Sequence, residues 1–140
     1  VKVPTVHAVQ ASGSAAIYRA MESGVFDGKP AKTVADSISV DVPSNGHLAL
    51  KNLKDFDGRC ITVTDEEILS AQKELSSDCG LFSEPAAAAA YAGFLNQKRS
   101  LDSGETCVVL LTGNGLKDTG SAAKNIIIPE KAVNSLDEIS

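Results

Sequence analysis

Cysteine is scarce in this sequence. The chain has three, Cys60, Cys79 and Cys107, an odd number with no Cys-x-x-Cys pair. That pattern argues against a disulfide framework and against a thiolate metal site. Each cysteine lies in an apolar or helix-end setting, so buried free thiols in a reducing cytosol are expected. Histidine is scarcer still. His7 and His47 stand far apart without partner spacing, which leaves a histidine metal centre or a histidine-based triad unsupported. No P-loop, Gly-x-Gly-x-x-Gly or Gly-x-Ser-x-Gly motif occurs. Positive charge is also short. Thirteen Lys and Arg against 18 Asp and Glu give a net charge of -5, so no basic field exists to attract nucleic acid. No apolar run is long enough to cross a bilayer, and no signal peptide is visible. A cytoplasmic protein with no nucleic-acid or membrane partner is expected.

What is present suits a packed core. The 140 residues, 43% of them hydrophobic, fit a single domain spanning 1–140. Mean hydropathy is near zero, which argues against disorder. The chain opens on Val1 rather than methionine, and Val1-Lys2-Val3-Pro4 runs directly into a strand-like segment. It reads as a piece cut from something longer or as a processed product.

The stretch Cys107 to Asp118, CVVLLTGNGLKD, is the most informative. Val108 to Leu111 show no polar alternation, which predicts a strand buried on both faces, as in a parallel sheet covered by helices. Asn114-Gly115 predicts a tight turn. In open α/β sheets ligands sit at the carboxyl ends of strands, where Thr112 falls. A hydroxyl there can donate to or accept from a bound ring without bringing a charge. Alternatively Thr112 simply ends a strand.

Elsewhere strands and helices alternate, which argues for α/β with mainly parallel pairing. Thr5–Gln10 reads as a strand, followed by a helix from Ala15 to about Glu22 with Ser14 as its cap and Gly24 as its stop. Thr33–Ile38 reads as the opening of a short helix, and His47–Leu53 as another. Arg59–Val63 reads as a second strand. Thr64 with Glu67 forms a capping box for a helix whose Ile68, Ala71, Leu75 and Cys79 share one face, with Gly80 ending it. Pro85 opens a helix with little polar face, Ala86 to Leu95, predicted to be buried on several sides, with Gly93 marking a tight contact. Glu84 stands at that helix's N-terminus, where a carboxylate is favoured. Two readings of it stay open, a simple dipole interaction or a residue that orients a ligand. Ile126-Ile127-Ile128 is a short β-branched run ended by Pro129, and Ala132–Ile139 a terminal amphipathic turn.

Taken together, these segments resemble threonine synthases, pyridoxal-phosphate (PLP) enzymes of the tryptophan-synthase-β-like fold. The resemblance runs in order from Val6 to about Thr119. VHAVQASGSAAIYRAM (Val6–Met21) resembles that family's strand, turn and helix. KTVADSISVDVPSN (Lys32–Asn45) and TVTDEEILSAQKELSSDCGLFSEPAAAAAYAG (Thr62–Gly93) resemble its next two segments. LTGNGLKD (Leu111–Asp118) resembles its C-terminal signature.

The resemblance implies an α/β fold, a mainly parallel sheet flanked by helices that forms the C-terminal part of the family's large domain. It implies PLP as cofactor, with the Thr112 hydroxyl at the pyridine nitrogen and Gly113 along the ring edge. A neutral partner of that kind would not hold the ring strongly protonated. Glu84, at the family's Glu-Pro motif, would help shape the cofactor and substrate site. The full enzyme would convert O-phospho-L-homoserine and water to L-threonine and phosphate. A phosphorylated amino acid would be its small-molecule partner. The Schiff-base lysine, the phosphate-gripping loop and the smaller domain belong to upstream segments. No catalytic residue is therefore expected in this chain, which alone should be inactive and should need the N-terminal half. Lys117 is not the family's Schiff-base lysine and reads as a solvated loop residue. Ser12 and Ala15-Ala16 depart from the acidic residue and proline found near there, which leaves room for a cysteate synthase or another related PLP enzyme. A non-catalytic half-fold binding domain is a further alternative. Exposed apolar surface on such a piece would favour a homo-oligomer.

Overall fold

The computed structural model describes residues 3–124, 126 and 135. The elements run β1 (Ala8–Ala11), α1 (Ala16–Ser23), α2 (Gly46–Asp55), β2 (Cys60–Val63), α3 (Asp65–Cys79), α4 (Pro85–Gln97) and α5 (Thr119–Ala123). Single 3-10 turns occupy Ser12–Ser14, Asp36–Ile38, Lys98–Ser100 and Gly115–Lys117. β1 and β2 pair in parallel, with Ala8 opposite Cys60 and Ala11 opposite Val63. A parallel pair needs a crossover, and here α1 and α2 supply it.

Local signals explain most of the helices. Thr64 Oγ1 accepts from Glu67 N–H at 3.2 Å, and Glu67 Oε2 accepts from Thr64 N–H at 2.7 Å, so the capping box is complete. The Thr64 N–H, and after it the Asn96 amide, hold the Glu67 carboxyl below its usual range. A depressed carboxyl contributes stability above its unfolded pKa and loses it as pH falls through the folded value. Thr64→Ala should cost about 1 kcal/mol in a denaturant titration. No change in midpoint would show that α3 is held by packing alone. Gly24 and Gly80 close α1 and α3 in the left-handed region, at φ 78° and 66°, where a side chain would be strained.

Tertiary demands override other signals. Ser14 does not cap α1. Its hydroxyl donates to Ile38 O at 2.9 Å and accepts from Val40 N–H at 3.0 Å. Thr33 does not open a helix either, because its hydroxyl donates to Asp65 and only Asp36–Ile38 turn.

α4 lies against both strands and along α3. Its small residues make this possible: Ala87, Ala88, Ala89, Ala92 and Gly93 are all buried. At Gly93 a Cβ would come within 2.5 Å of Val9 Cγ2, so the glycine admits the strand. Ile68, Val63 and Leu75 supply the bulk of the core around these alanines.

The expected strand at Val108–Leu111 is not paired into the sheet among the described residues. Val109 and Leu111 turn toward Leu75, Tyr91 and Phe94, whereas Val108 and Leu110 are 77% and 71% exposed. The segment is thus covered on one side and bare on the other, rather than buried on both. The cysteines also differ from expectation. Cys60 is buried, but Cys79, at the last position of α3, and Cys107, on this unpaired segment, are exposed. The expected Ile126–Ile128 run and Ala132–Ile139 turn lie, but for Ile126 and Ser135, outside the described residues. No helix among the described residues is long and apolar enough to cross a membrane.

Candidate functional site

Both strands deliver the chain to the same end of the sheet. From Ala11 and Val63 it passes into Ser12–Ser14 and into α3. The segment after Lys32 is strapped across this end. Lys32 N–H donates to Gly13 O at 2.9 Å. Asp65, at the first position of α3, takes the Thr33 hydroxyl on one carboxylate oxygen and the Val34 N–H on the other, the latter at 3.1 Å. Together with the Ser14 bonds, these fix the turn that carries Asp36 and Ser37.

A second arm comes from α4. Glu84 is its N-cap residue, and its carbonyl accepts from Ala87 and Ala88 N–H at 3.0 and 2.9 Å. The side chain folds back rather than capping. It is buried, 7% exposed, and its Oε2 accepts from Ser37 Oγ at 3.4 Å and lies 3.0 Å from Lys117 Nζ. The third arm is the Thr-Gly-Asn-Gly loop. Ser83 and Asn114 form an antiparallel bridge. Glu84 N–H donates to Gly113 O at 3.0 Å, and Gly115 N–H to Phe82 O at 2.9 Å. Asn114 Oδ1 accepts from Leu116 N–H at 2.8 Å, which shapes the turn. Asp118 then caps α5 through Ser121 N–H. The Ser121 hydroxyl and N–H lower its pKa.

These arms enclose a cavity of about 420 Å³ lined by Asp36, Ser37, Glu84, Pro85, Ala86, Lys117 and Asp118. Glu84 and Gly113, both singled out in the sequence, are in contact: a Cβ at Gly113 would lie 1.9 Å from Glu84 Oε1. Thr112 is not among the lining residues. Its side chain is exposed beside Gly113, and no hydrogen bond engages its hydroxyl among the described residues. Lys117 is exposed, as expected of a loop lysine, but its ammonium also pairs with Glu84. Sequence reasoning missed that pair and the contributions of Asp36, Ser37 and Asp118, since each depends on a contact distant in the chain. Only Asp118 carried a local signal, as an acid immediately before the Thr-Gly-Ser start of a helix. Elsewhere, burial pushes the Cys60 thiol up to about 11, which keeps it protonated near neutral pH and unsuited to nucleophilic work.

The family described as pyridoxal-phosphate dependent enzyme matches residues 2–113. The threonine synthase of Synechocystis sp. (strain ATCC 27184 / PCC 6803 / Kazusa) is 38% identical over 127 residues, covering 89% of this chain and 31% of that protein. The threonine synthase of Halalkalibacterium halodurans is 35% identical over 144 residues, covering 98% of this chain and 39% of that protein. The chain therefore spans roughly a third of the length of these curated relatives. Among solved structures, a fungal L-serine ammonia-lyase from Rhizomucor miehei superimposes with a TM-score of 0.65 at 22% identity, covering 85% of this chain and 40% of that one. A maize serine racemase gives 0.56 at 20% identity, over 69% of this chain and 30% of that one. At such identities the structural likeness bears on fold alone, and the fold is α/β.

Proposed function

The chain belongs to the pyridoxal-phosphate dependent enzymes, and on that premise we propose that it is the C-terminal segment of a threonine synthase acting on O-phospho-L-homoserine and water. Pyridoxal phosphate is the family's cofactor. When bound, it supplies the electron sink for loss of phosphate and addition of water. The observation that carries the proposal is the loop at Thr112–Gly115, anchored to the start of α4 with the Thr112 hydroxyl left uncommitted among the described residues. The named relatives, threonine synthases at 35 to 38% identity over most of the chain, support the substrate class.

The residues fit the group. The Thr112 hydroxyl can accept from or donate to a ring nitrogen, and being neutral it does not force a proton onto that atom. Gly113 presents bare backbone, so a flat ring can approach. Glu84 backs Gly113 from within the cavity and keeps that backbone in place. Among the described residues, Lys117 is the sole cation lining the cavity and is engaged by Glu84. In this reading the cofactor phosphate and the covalent lysine belong to the rest of the enzyme, as the resemblance to threonine synthases implies, and this segment alone is inactive. The bare side of the Cys107–Leu111 segment supports the same view. Its outward Val108 and Leu110 present an apolar face that the remainder of the fold would cover.

The test uses the intact enzyme. Phosphate release and threonine formation from O-phosphohomoserine are the expected result. Turnover of phosphoserine with sulfite instead would assign a cysteate synthase. Thr112→Val should lower turnover by about tenfold or more, the effect of one lost hydrogen bond to the ring, with the thermal midpoint unchanged. Kinetics equal to the parent enzyme would remove Thr112 from the site.

A further inference from the structure

Glu84 is the one buried acid among the described residues. A carboxylate so enclosed is held in place by a counter-charge beside it. Its side-chain partners are the neutral Ser37 hydroxyl and the Lys117 ammonium. The other acids lining the cavity, Asp36 and Asp118, oppose it. Lys117 is thus the compensating charge. The geometry gives this a consequence for the loop. Lys117 holds Oε2, while Oε1 of the same carboxylate lies against Gly113. Gly113 and Lys117 belong to one short loop, joined through the Asn114-Gly115 turn, so the loop closes around the carboxylate from two sides.

We propose that Lys117 is a positioning residue: by compensating Glu84 it keeps the carboxylate seated behind Gly113, and so fixes the Thr112–Gly113 backbone where the cofactor ring is received. The inference rests on the reading of Thr112 as the ring's partner. Without Lys117 the carboxylate is free to turn toward solvent, so that Gly113 loses its support and Thr112 moves. Lys117 itself is 62% exposed, so its replacement leaves the core untouched.

The experiment is a titration of the intact apoenzyme with pyridoxal phosphate, followed by the cofactor's own absorbance and fluorescence. Lys117→Met should weaken binding about tenfold, equivalent to about 1.4 kcal/mol, and shift the bound cofactor's absorption band. Lys117→Arg should bind within about twofold of the parent, because it keeps the charge. In a Glu84→Gln background, Lys117→Met should have no further effect, since no charge is left to compensate. Parent-like binding by Lys117→Met, or an equal loss in both backgrounds, would overturn the proposal. Thr112→Val separates the two layers. If it too binds like the parent, the ring-partner reading is what has failed. If it weakens binding while Lys117→Met does not, only the role of Lys117 falls. Should Lys117→Met fail to load cofactor at all, amide exchange gives the answer in its place. Faster exchange at Glu84 and Gly115 N–H than in the parent supports the proposal, and unchanged protection overturns it.

Discussion

Gly113→Ala is expected to destabilise the protein by about 1–3 kcal/mol and to weaken cofactor retention with it. The new Cβ would meet Glu84 Oε1 at 1.9 Å and Cδ at 2.2 Å. A clash with the end of a flexible side chain is cheap when the side chain can swing away. Glu84 cannot do so freely, because it is buried, paired with Lys117 and hydrogen-bonded by Ser37. Either the ion pair opens or the loop lifts off Phe82–Glu84. The strain is purely one of space, so shortening the neighbour should relieve it: in a Glu84→Ala background the added cost of Gly113→Ala should largely vanish. Denaturant midpoints of the parent, both single variants and the double variant measure this. A Gly113→Ala midpoint equal to the parent's would mean that the carboxylate has another place to go.

The second large effect is in the core. Ile68→Ala should cost about 2–5 kcal/mol. Ile68 is wholly buried and is one of the largest fully buried side chains. Its core neighbours include Ala11, Ala35, Ala71, Ala88, Ala89 and Ala92. Alanines have no rotamers with which to lean into a void, so the cavity left behind stays open. Ile68→Val should cost only about 0.5–1.5 kcal/mol, and the difference between the two, read from denaturant titration, reports how far the site can collapse. A loss for Ile68→Ala no larger than that for valine would show that α3 and α4 move together to close the gap.

These effects fall where the sequence was readable to different degrees. The capping box at Thr64 and Glu67, the glycine stops at Gly24 and Gly80, and the crowded glycine at Gly93 were all legible, because each depends on neighbours in the chain or on residue size alone. The likeness of LTGNGLKD to a PLP-enzyme motif pointed to the loop that meets Glu84. The Val108–Leu111 run was misjudged for a physical reason. Continuous hydrophobicity shows that a segment wants cover, but it does not say from where, and in this chain only Val109 and Leu111 receive it. Cys107 shares that segment and is exposed with it. Ser14 and Thr33 do not act as the caps their local sequence suggests, since a hydroxyl serves a distant group, the Ile38–Val40 backbone for Ser14 and the Asp65 carboxylate for Thr33, as readily as a near one. The Lys117–Glu84 pair left no periodic trace, because opposite charges far apart in sequence carry no spacing rule.

Glu84 has one more implication. Its backbone begins α4 and its side chain forms a wall of the cavity, while the far part of the same helix rests on Val9 through Gly93. α4 therefore links the core contact at Gly93 to the cavity at its other end. A change in the packing at Gly93 need not touch the cavity to alter it. By tilting the helix it re-aims the acid at the opposite end. Tuning of such a site, by evolution or in the laboratory, has a handle well away from any residue that a ligand would meet.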